Sequence, residues 1–498
     1  MDKLVVIHRG ALRTKYGASG LKKIDAALAR LVRQDKKRGI DTTLVAVDLA
    51  SEMKPLRAPV VPAKPDARSL KAAIDALAKA RQPHYFVLLG GPDVLPMVAL
   101  KNPAPSDGDA HVPSDLPYAC EAAYSTDPNR FLGPTRVLGR LPDLPGASKP
   151  ELLLQLIKAA ADHQSRDRRD FDTSFGLSAE VWQASTRQSL DNTFGPANPL
   201  HLSPPDGPGW TQAELAPRMH FINCHGAEHD TSYYGQHGRD FPEAMTSAGV
   251  KGRITPGSVV AAECCYGAQV FDPALADSGE WPISVRYLAD GAAAFVGSTT
   301  IAYGPSAGNG SADLICQFFL QRVLTGASSG RALLEARQQF AGARTHLDPV
   351  DLKTLAQFYL LGDPSLQPVT FVGHALTKTQ AFKRAFAAVQ DRGVRGLRRE
   401  RLEREGRNLA RSLPRLKSIE AKPAAAVTQA VTPMLRESGL APADCQRTSY
   451  EVVGAPDRRV VHIYTASLPA VDATLRPLSL VATEQGGRLL HVRRMHAR

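Results

Sequence analysis

Met219-His-Phe-Ile-Asn-Cys-His-Gly226 and Ser258-Val-Val-Ala-Ala-Glu-Cys-Cys-Tyr-Gly267 decide how this chain folds. Each stretch opens with an apolar run of strand length and ends in reactive side chains with a glycine behind them. Reactive groups at the carboxyl ends of adjacent strands stand where open α/β sheets place their ligand sites. A thiolate nucleophile needs an imidazole nearby to take its proton and later protonate a leaving amine. His225 offers the imidazole and Cys264 or Cys265 the thiol. Gly226 leaves a backbone N–H free to face a developing oxyanion.

Upstream of these two stretches, the first half alternates strand-like and helix-like segments. Leu4 to Ile7, Thr43 to Val47 and Tyr85 to Leu89 read as strands. Leu21 to Arg33 and Ser69 to Ala80 read as amphipathic helices, with apolar residues such as Leu21, Ile24, Leu28 and Leu31 at helical spacing. The order predicts a parallel sheet covered by helices on both faces. Residues 101–117, rich in Pro, Asp and Ser, predict an exposed loop. The alternation resumes with strands at 136–142, 175–181 and 292–296 and helices at 151–163, 311–323 and 330–340. Beyond residue 421, β-like runs at 459–464, 478–482 and 488–492 predict a small α+β module.

With 498 residues, 43% hydrophobic and 22% charged, the chain has globular composition and room for two or three domains. No run approaches the ~18 apolar residues of a membrane helix. The first nine residues are charged too soon for a signal peptide, and six scattered cysteines make no disulfide framework, so a cytoplasmic setting is expected. Of the net charge of +12, +9 falls between Lys378 and Lys417. That segment reads as a solvated, Arg/Glu-laced helix with i,i+4 pairs. A basic face also suits an acidic partner, but no nucleic-acid-binding motif accompanies it.

Other patterns fail on their context. His225-Gly-Ala-Glu-His229 has the H-x-x-E-H form of an inverted zinc-protease motif, with His220, Cys224 and His237 as further ligands. That motif needs a helix, whereas this one comes after a strand and carries Gly226 directly after its first histidine. Gly304-Pro-Ser-Ala-Gly308 has the G-x-S-x-G form of a nucleophile elbow, yet Pro305 interrupts it and the preceding strand ends near Gly297. No metal or cofactor is expected.

The chain resembles the caspase-like cysteine peptidases, and within them the gingipain type. Phe221-Ile-Asn-Cys-His225-Gly226 is similar to that family's strand-His-Gly block, and Val259-Val-Ala-Ala-Glu-Cys-Cys-Tyr-Gly267 to its strand-Cys block. Four further stretches are similar: Phe86 to Asp93, Ser114 to Tyr118 with Val137 to Pro142, Phe295 to Thr299, and Leu361 to Ser365. The resemblance spans residues 1–370. It implies a caspase-like three-layer sandwich with a mostly parallel sheet, and His225 as the catalytic imidazole. Caspases place the nucleophile at the position of Cys265; gingipains, legumains and clostripains place it at Cys264. A small side chain before the nucleophile favours Cys265. The resemblance further implies Glu180 as the acid that orients the histidine, Asp191 as the pocket acid that selects Arg or Lys, and Tyr303 as an aromatic pocket wall.

The expected organisation is an N-terminal α/β subdomain at 1–145, a catalytic subdomain at 146–370, a basic helical linker at 371–420 and the α+β module at 421–498. The expected activity is peptide hydrolysis through an acyl-enzyme, on protein or peptide substrates, with the C-terminal extension open to a regulatory partner. If the pocket takes Arg, residues 392–415 also offer self-cleavage sites. The alternative is a non-catalytic caspase-like scaffold that binds an acidic partner through the basic segment.

Overall fold

A computed structural model describes residues 2–105, 107–305, 308–370, 381–455, 457–469 and 475–498. Ser306 of the elbow-like motif and residues 371–380 of the expected linker lie outside the described residues.

Ten strands form the main sheet: β1 (Lys3–Ile7), β2 (Thr42–Ala46), β3 (Tyr85–Leu89), β4 (Leu138–Leu141), β5 (Ser174–Ala179), β6 (His201–Ser203), β7 (Met219–Asn223), β8 (Val259–Ala262), β9 (Ala294–Gly297) and β10 (Tyr359–Leu361). Their order is β2-β1-β3-β4-β10-β9-β8-β7-β5-β6. Every pairing is parallel except β9 with β10, where Phe295 faces Leu361. The sheet is therefore two parallel halves pointing in opposite directions. Within each half the second strand lies outside the first and the rest follow inward, so one winding pattern occurs twice without a sequence repeat.

Strands β1, β7, β8 and β9 are buried at every position, which requires cover on both faces. Helices α1 (Arg9–Lys37), α3 (Glu151–Asp162) and α5 (Ile283–Ala289) pack in one group. Helices α4 (Gln183–Phe194), α6 (Ser311–Leu324), α7 (Ser329–Gly342) and α8 (Pro349–Gln357) pack in another. Helix α2 (Ala67–Arg81) starts where the Asp66 side chain accepts the Ser69 N–H, as an N-cap should. The expected mixed α/β architecture is thus present, with a large, mostly parallel sheet.

Two stretches of the family resemblance hold structural ion pairs. Arg140 of β4, fully buried, donates both its Nε and Nη2 to the Asp115 carboxylate at 2.9 and 2.7 Å. Its Nη1 serves the carbonyls of Gly90 and Leu95. Lys3 of β1 reaches Asp363 at 2.6 Å and Asp35 at 2.5 Å, tying the first strand to the segment after β10. Residues 101–117 are only in part the expected exposed loop: the described residues between Lys101 and His111 carry no helix or strand, but Pro103, Ala104 and Asp107 among them are buried. Val98–Lys101 and His111–Ser114 form a hairpin, because alternating Val98, Leu100, Val112 and Ser114 have a buried face to occupy.

The C-terminal part departs from its expected boundaries. Helix α9 (Ala381–Ser412) shows the expected i,i+4 pairs, Arg399–Glu403 and Arg407–Glu403. Yet it is docked: Leu402 is buried against Val137 and Leu334, and Arg407 pairs with Glu121. Strand β11 (Arg415–Ile419), within the expected linker, belongs to the module's sheet with β12 (Gln446–Val453), β13 (Arg459–Pro469), β14 (Leu475–Gln485) and β15 (Arg488–Ala497). Helix α10 (Ala425–Arg436) buries Val427, Val431 and Leu435, spaced four apart, against Tyr464 and Leu480. The outer edge of β15 then pairs with Tyr303–Gly304 of the first 370 residues, so the module's sheet ends in the other unit.

Arg140→Met leaves Asp115 buried and unpaired, so it should cost ~3–5 kcal/mol of stability. Urea unfolding of this variant, beside Arg140→Met/Asp115→Leu, checks it. The double variant should recover part of the loss.

Candidate active site

Strands β7 and β8 pair in parallel with Ile222 opposite Ala262. His225 and Cys265 each lie three residues beyond that last pair, so the two chain ends leave the sheet together. Gly226 makes the approach possible: a Cβ there would stand 2.0 Å from the Cys265 carbonyl oxygen. After Cys265 the backbone turns through Tyr266 in the left-handed region, at φ +53°. Such a conformation persists only where neighbours hold it. Here Tyr266 donates its N–H to Thr300 and its hydroxyl to Asp109.

The two cysteines point to different surroundings. Cys264 is fully buried near Cys224, Tyr233 and Tyr287, and burial pushes its thiol well above the ordinary range. Cys265 presents its Sγ to Ala302, whose N–H donates to the sulfur at 3.3 Å. The alternation of side chains at a strand end produces this division.

His225 is locked by residues 234–241. Its backbone exchanges two hydrogen bonds with Tyr234, at 2.8 and 2.9 Å. The ring lies 5.0 Å from the Phe241 ring and 4.3 Å from the Trp182 ring. Its Nε2 meets Gln236 Oε1 at 2.8 Å. Gln236 Nε2 donates to the Gly238 carbonyl, which orients the amide so that its oxygen faces the ring. An oxygen acceptor requires the proton on Nε2 and leaves Nδ1 as the basic nitrogen.

Glu180, expected to orient His225, is engaged elsewhere: its Oε2 lies 2.5 Å from His237 Nδ1, and it raises that histidine's proton affinity. The partner found at His225 Nε2 is the neutral Gln236. Segment 225–229 contains no helix, so His229 does not share a helical face with His225. His220, below the site on β7, is buried among Phe175 and Tyr287 and bonded to the Tyr287 hydroxyl and the Pro217 carbonyl.

The cleft beside Cys265 is filled by Arg498, the last residue of the sequence. The Arg498 carbonyl oxygen accepts the Cys265 N–H at 3.1 Å and the Gly226 N–H at 3.4 Å. Its own N–H donates to the Ala302 carbonyl at 3.0 Å. The preceding Ala497 and His496 pair antiparallel with Tyr303 and Gly304. The guanidinium is fully buried; Nη2 contacts Asp313 Oδ1 at 3.0 Å, the Pro305 carbonyl at 3.0 Å and Ser185 Oγ at 3.5 Å. It lies 4.4 Å over the Trp182 ring. A Cβ on Gly304 would stand 2.0 Å from Nη2, so the slot needs glycine there.

Asp313 is aimed by its helix: Oδ2 accepts the Gly310 N–H at the start of α6, leaving Oδ1 for the guanidinium. Glu263 lies 4.0 Å from Arg498 Nε, and burial together with the Asp313 charge pushes its carboxyl well above the usual range. The direct ionic contact is therefore with Asp313.

Asp191 and Tyr303 do not take their expected places. Asp191 is half-exposed and faces Arg187 at 3.8 Å. It comes two residues after Ser189, which faces inward on α4, and is thus about 200° further around the helix. Tyr303 contributes its backbone to the strand edge, while its hydroxyl donates to Asp107. The aromatic wall is Trp182. Sequence reasoning also missed Asp107, Asp109 and Lys353, which together hold the Tyr266 turn and the 301–303 edge. No local pattern marks them, since they come from a hairpin and a helix, with Lys353 standing 246 and 244 residues from Asp107 and Asp109.

Compared with known proteins, the sequence matches no family model, and no curated protein matches it.

The buried His220 has its pKa lowered to about 4 by desolvation. A depressed pKa means stability held above pH ~6.5 and lost as pH falls through 4, a swing of ~3 kcal/mol. Urea unfolding at several pH values checks it; His220→Gln should flatten this part of the acid limb.

Proposed function

We propose that the chain is a caspase-like cysteine endopeptidase of the gingipain type, cleaving after arginine. The observation that carries this reading is an arginyl carbonyl oxygen, that of Arg498, held by the N–H groups of Gly226 and Cys265 beside the Cys265 sulfur. That is where a scissile carbonyl must sit if those N–H groups are to stabilise its oxyanion. The two-halved, mostly parallel sheet with His-Gly and Cys ends on adjacent strands also supports it.

In this mechanism the basic Nδ1 of His225 takes the Cys265 proton, and the thiolate attacks the scissile carbonyl carbon. The carbonyl electron pair moves onto oxygen, between the two N–H donors. As the C–N bond breaks, His225 returns the proton to the amine, leaving a thioester on Cys265. Water, deprotonated by His225, then hydrolyses the thioester and regenerates the thiol. Gln236 keeps the ring oriented, and no step calls for a metal.

Specificity comes from the slot. A planar guanidinium fits against both the Trp182 ring and the Gly304 backbone and reaches Asp313, whereas a lysine ammonium forfeits the stacking.

The test is a fluorogenic peptide panel varying the residue before the scissile bond, run in EDTA on wild type and on Arg498→Ala, which empties the slot. Arg should be preferred over Lys by at least ~10-fold. Cys265→Ala should abolish turnover and Cys264→Ala retain it. Asp313→Asn should lower kcat/KM for Arg substrates by ~100-fold, within the range for losing one partner of a buried charge pair. Silence of both wild type and Arg498→Ala across the panel removes the peptidase reading and favours a non-catalytic scaffold.

A further inference from the structure

Resting on the peptidase reading, we infer that His496–Arg498 is a built-in pseudosubstrate and that the α+β module holds the enzyme shut through it. Three sets of contacts make this segment the image of a substrate's acyl side. Ala497 and His496 add a strand to the Tyr303–Gly304 edge, and Arg498 extends the pairing through Ala302. An extended peptide added to a sheet edge is a general mode of peptide recognition. The Arg498 side chain fills the acidic slot, and its carbonyl fills the N–H pair. Every group that a substrate arginine would engage is already taken, and Cys265 is only 3% exposed.

The module is built to keep the segment there. Strand β15 is hydrogen-bonded along β14 for most of its length, so residues 496–498 project from a rigid element. Arg493 of β15 pairs with the buried Asp348 and Asp351 at the start of α8. On the far side of the sheet, Tyr450 donates to the Pro103 carbonyl and Leu416 donates its N–H to Asn129. Anchoring on both flanks makes occupancy of the cleft intramolecular, with effective concentrations in the mM range for short connections. A substrate present at micromolar concentration competes poorly against that. Access to Cys265 is thus governed by release of the module's last strand.

Two readouts on the full chain test this: the rate at which iodoacetamide alkylates Cys265, followed by peptide mass spectrometry, and hydrolysis of an Arg fluorogenic peptide. The variants are Arg498→Glu, which places a negative charge before Asp313, the milder Arg498→Ala, and Arg498→Lys, which keeps the charge. Far-ultraviolet circular dichroism checks folding, and Arg498→Ala carries the test if the glutamate variant unfolds. Alkylation and turnover should each rise at least ~10-fold in Arg498→Glu and Arg498→Ala, with Arg498→Lys between them and wild type. Equal alkylation in wild type and the two emptied variants overturns the plug, whatever the peptidase result. Faster alkylation with no turnover in any variant keeps the plug and removes the peptidase reading.

Discussion

The parallel pairing of β7 with β8, Ile222 opposite Ala262, is the constraint that organises the whole site. It sends two chain segments out of the sheet side by side, free to diverge only after the last paired residue. His225 and Cys265 stand at equal distance from that point. A glycine at 226 lets the two backbones touch, and a left-handed Tyr266 turns the second away from the sheet. A shift of one residue in β8 would put Cys264 where Cys265 stands, and one in β7 would displace His225 in the same way.

A second constraint comes from burying a guanidinium. A charge removed from water needs a partner with good geometry. Asp313 provides it from the first turn of α6, with its other oxygen fixed by the Gly310 N–H. Glu263, so close to both, is pushed toward its neutral form by the same burial and by the Asp313 charge. The slot draws on four separated parts of the chain: Trp182, Glu263, Gly304 with Pro305, and Asp313. They meet because β5, β8, the edge strand and α6 converge at one end of the half-sheet.

Much of the framework was legible because burial writes itself into short sequence patterns. The apolar runs at Leu4 to Ile7, Tyr85 to Leu89 and Val259 to Ala262 are strands, and the periodic segments at 69–80, 151–163 and 311–323 are helices within a few residues. The elements that went unread had no local period. The three-residue β6 is too short to show one, and α4, with Ser185, Thr186 and Ser189 on its buried face, conceals its amphipathicity behind small polar residues. The hairpin of Val98–Lys101 with His111–Ser114 was hidden by the Pro- and Asp-rich turn that joins its strands. At the site the histidine, the two cysteines and the glycine were legible as strand ends, whereas Glu180, Asp191 and Tyr303 were assigned through the family resemblance, and position along the chain does not determine where a side chain points.

Contiguous residues were enough to dictate the alternation of strands and helices, and to put an imidazole and a thiol beyond two buried strands. Those features depend on local hydrophobic spacing and on residue chemistry, both of which a short stretch of chain carries. Packing in three dimensions was needed to turn one cysteine rather than the other toward the cleft, to bring Gln236 rather than Glu180 to the histidine, and to assemble the arginine slot from Trp182, Gly304 and Asp313. It also placed Arg498 there, across 233 residues from Cys265. Contacts of that separation are set by how whole elements pack, since charge pairing and strand addition recognise geometry in space and leave no trace in neighbouring residues.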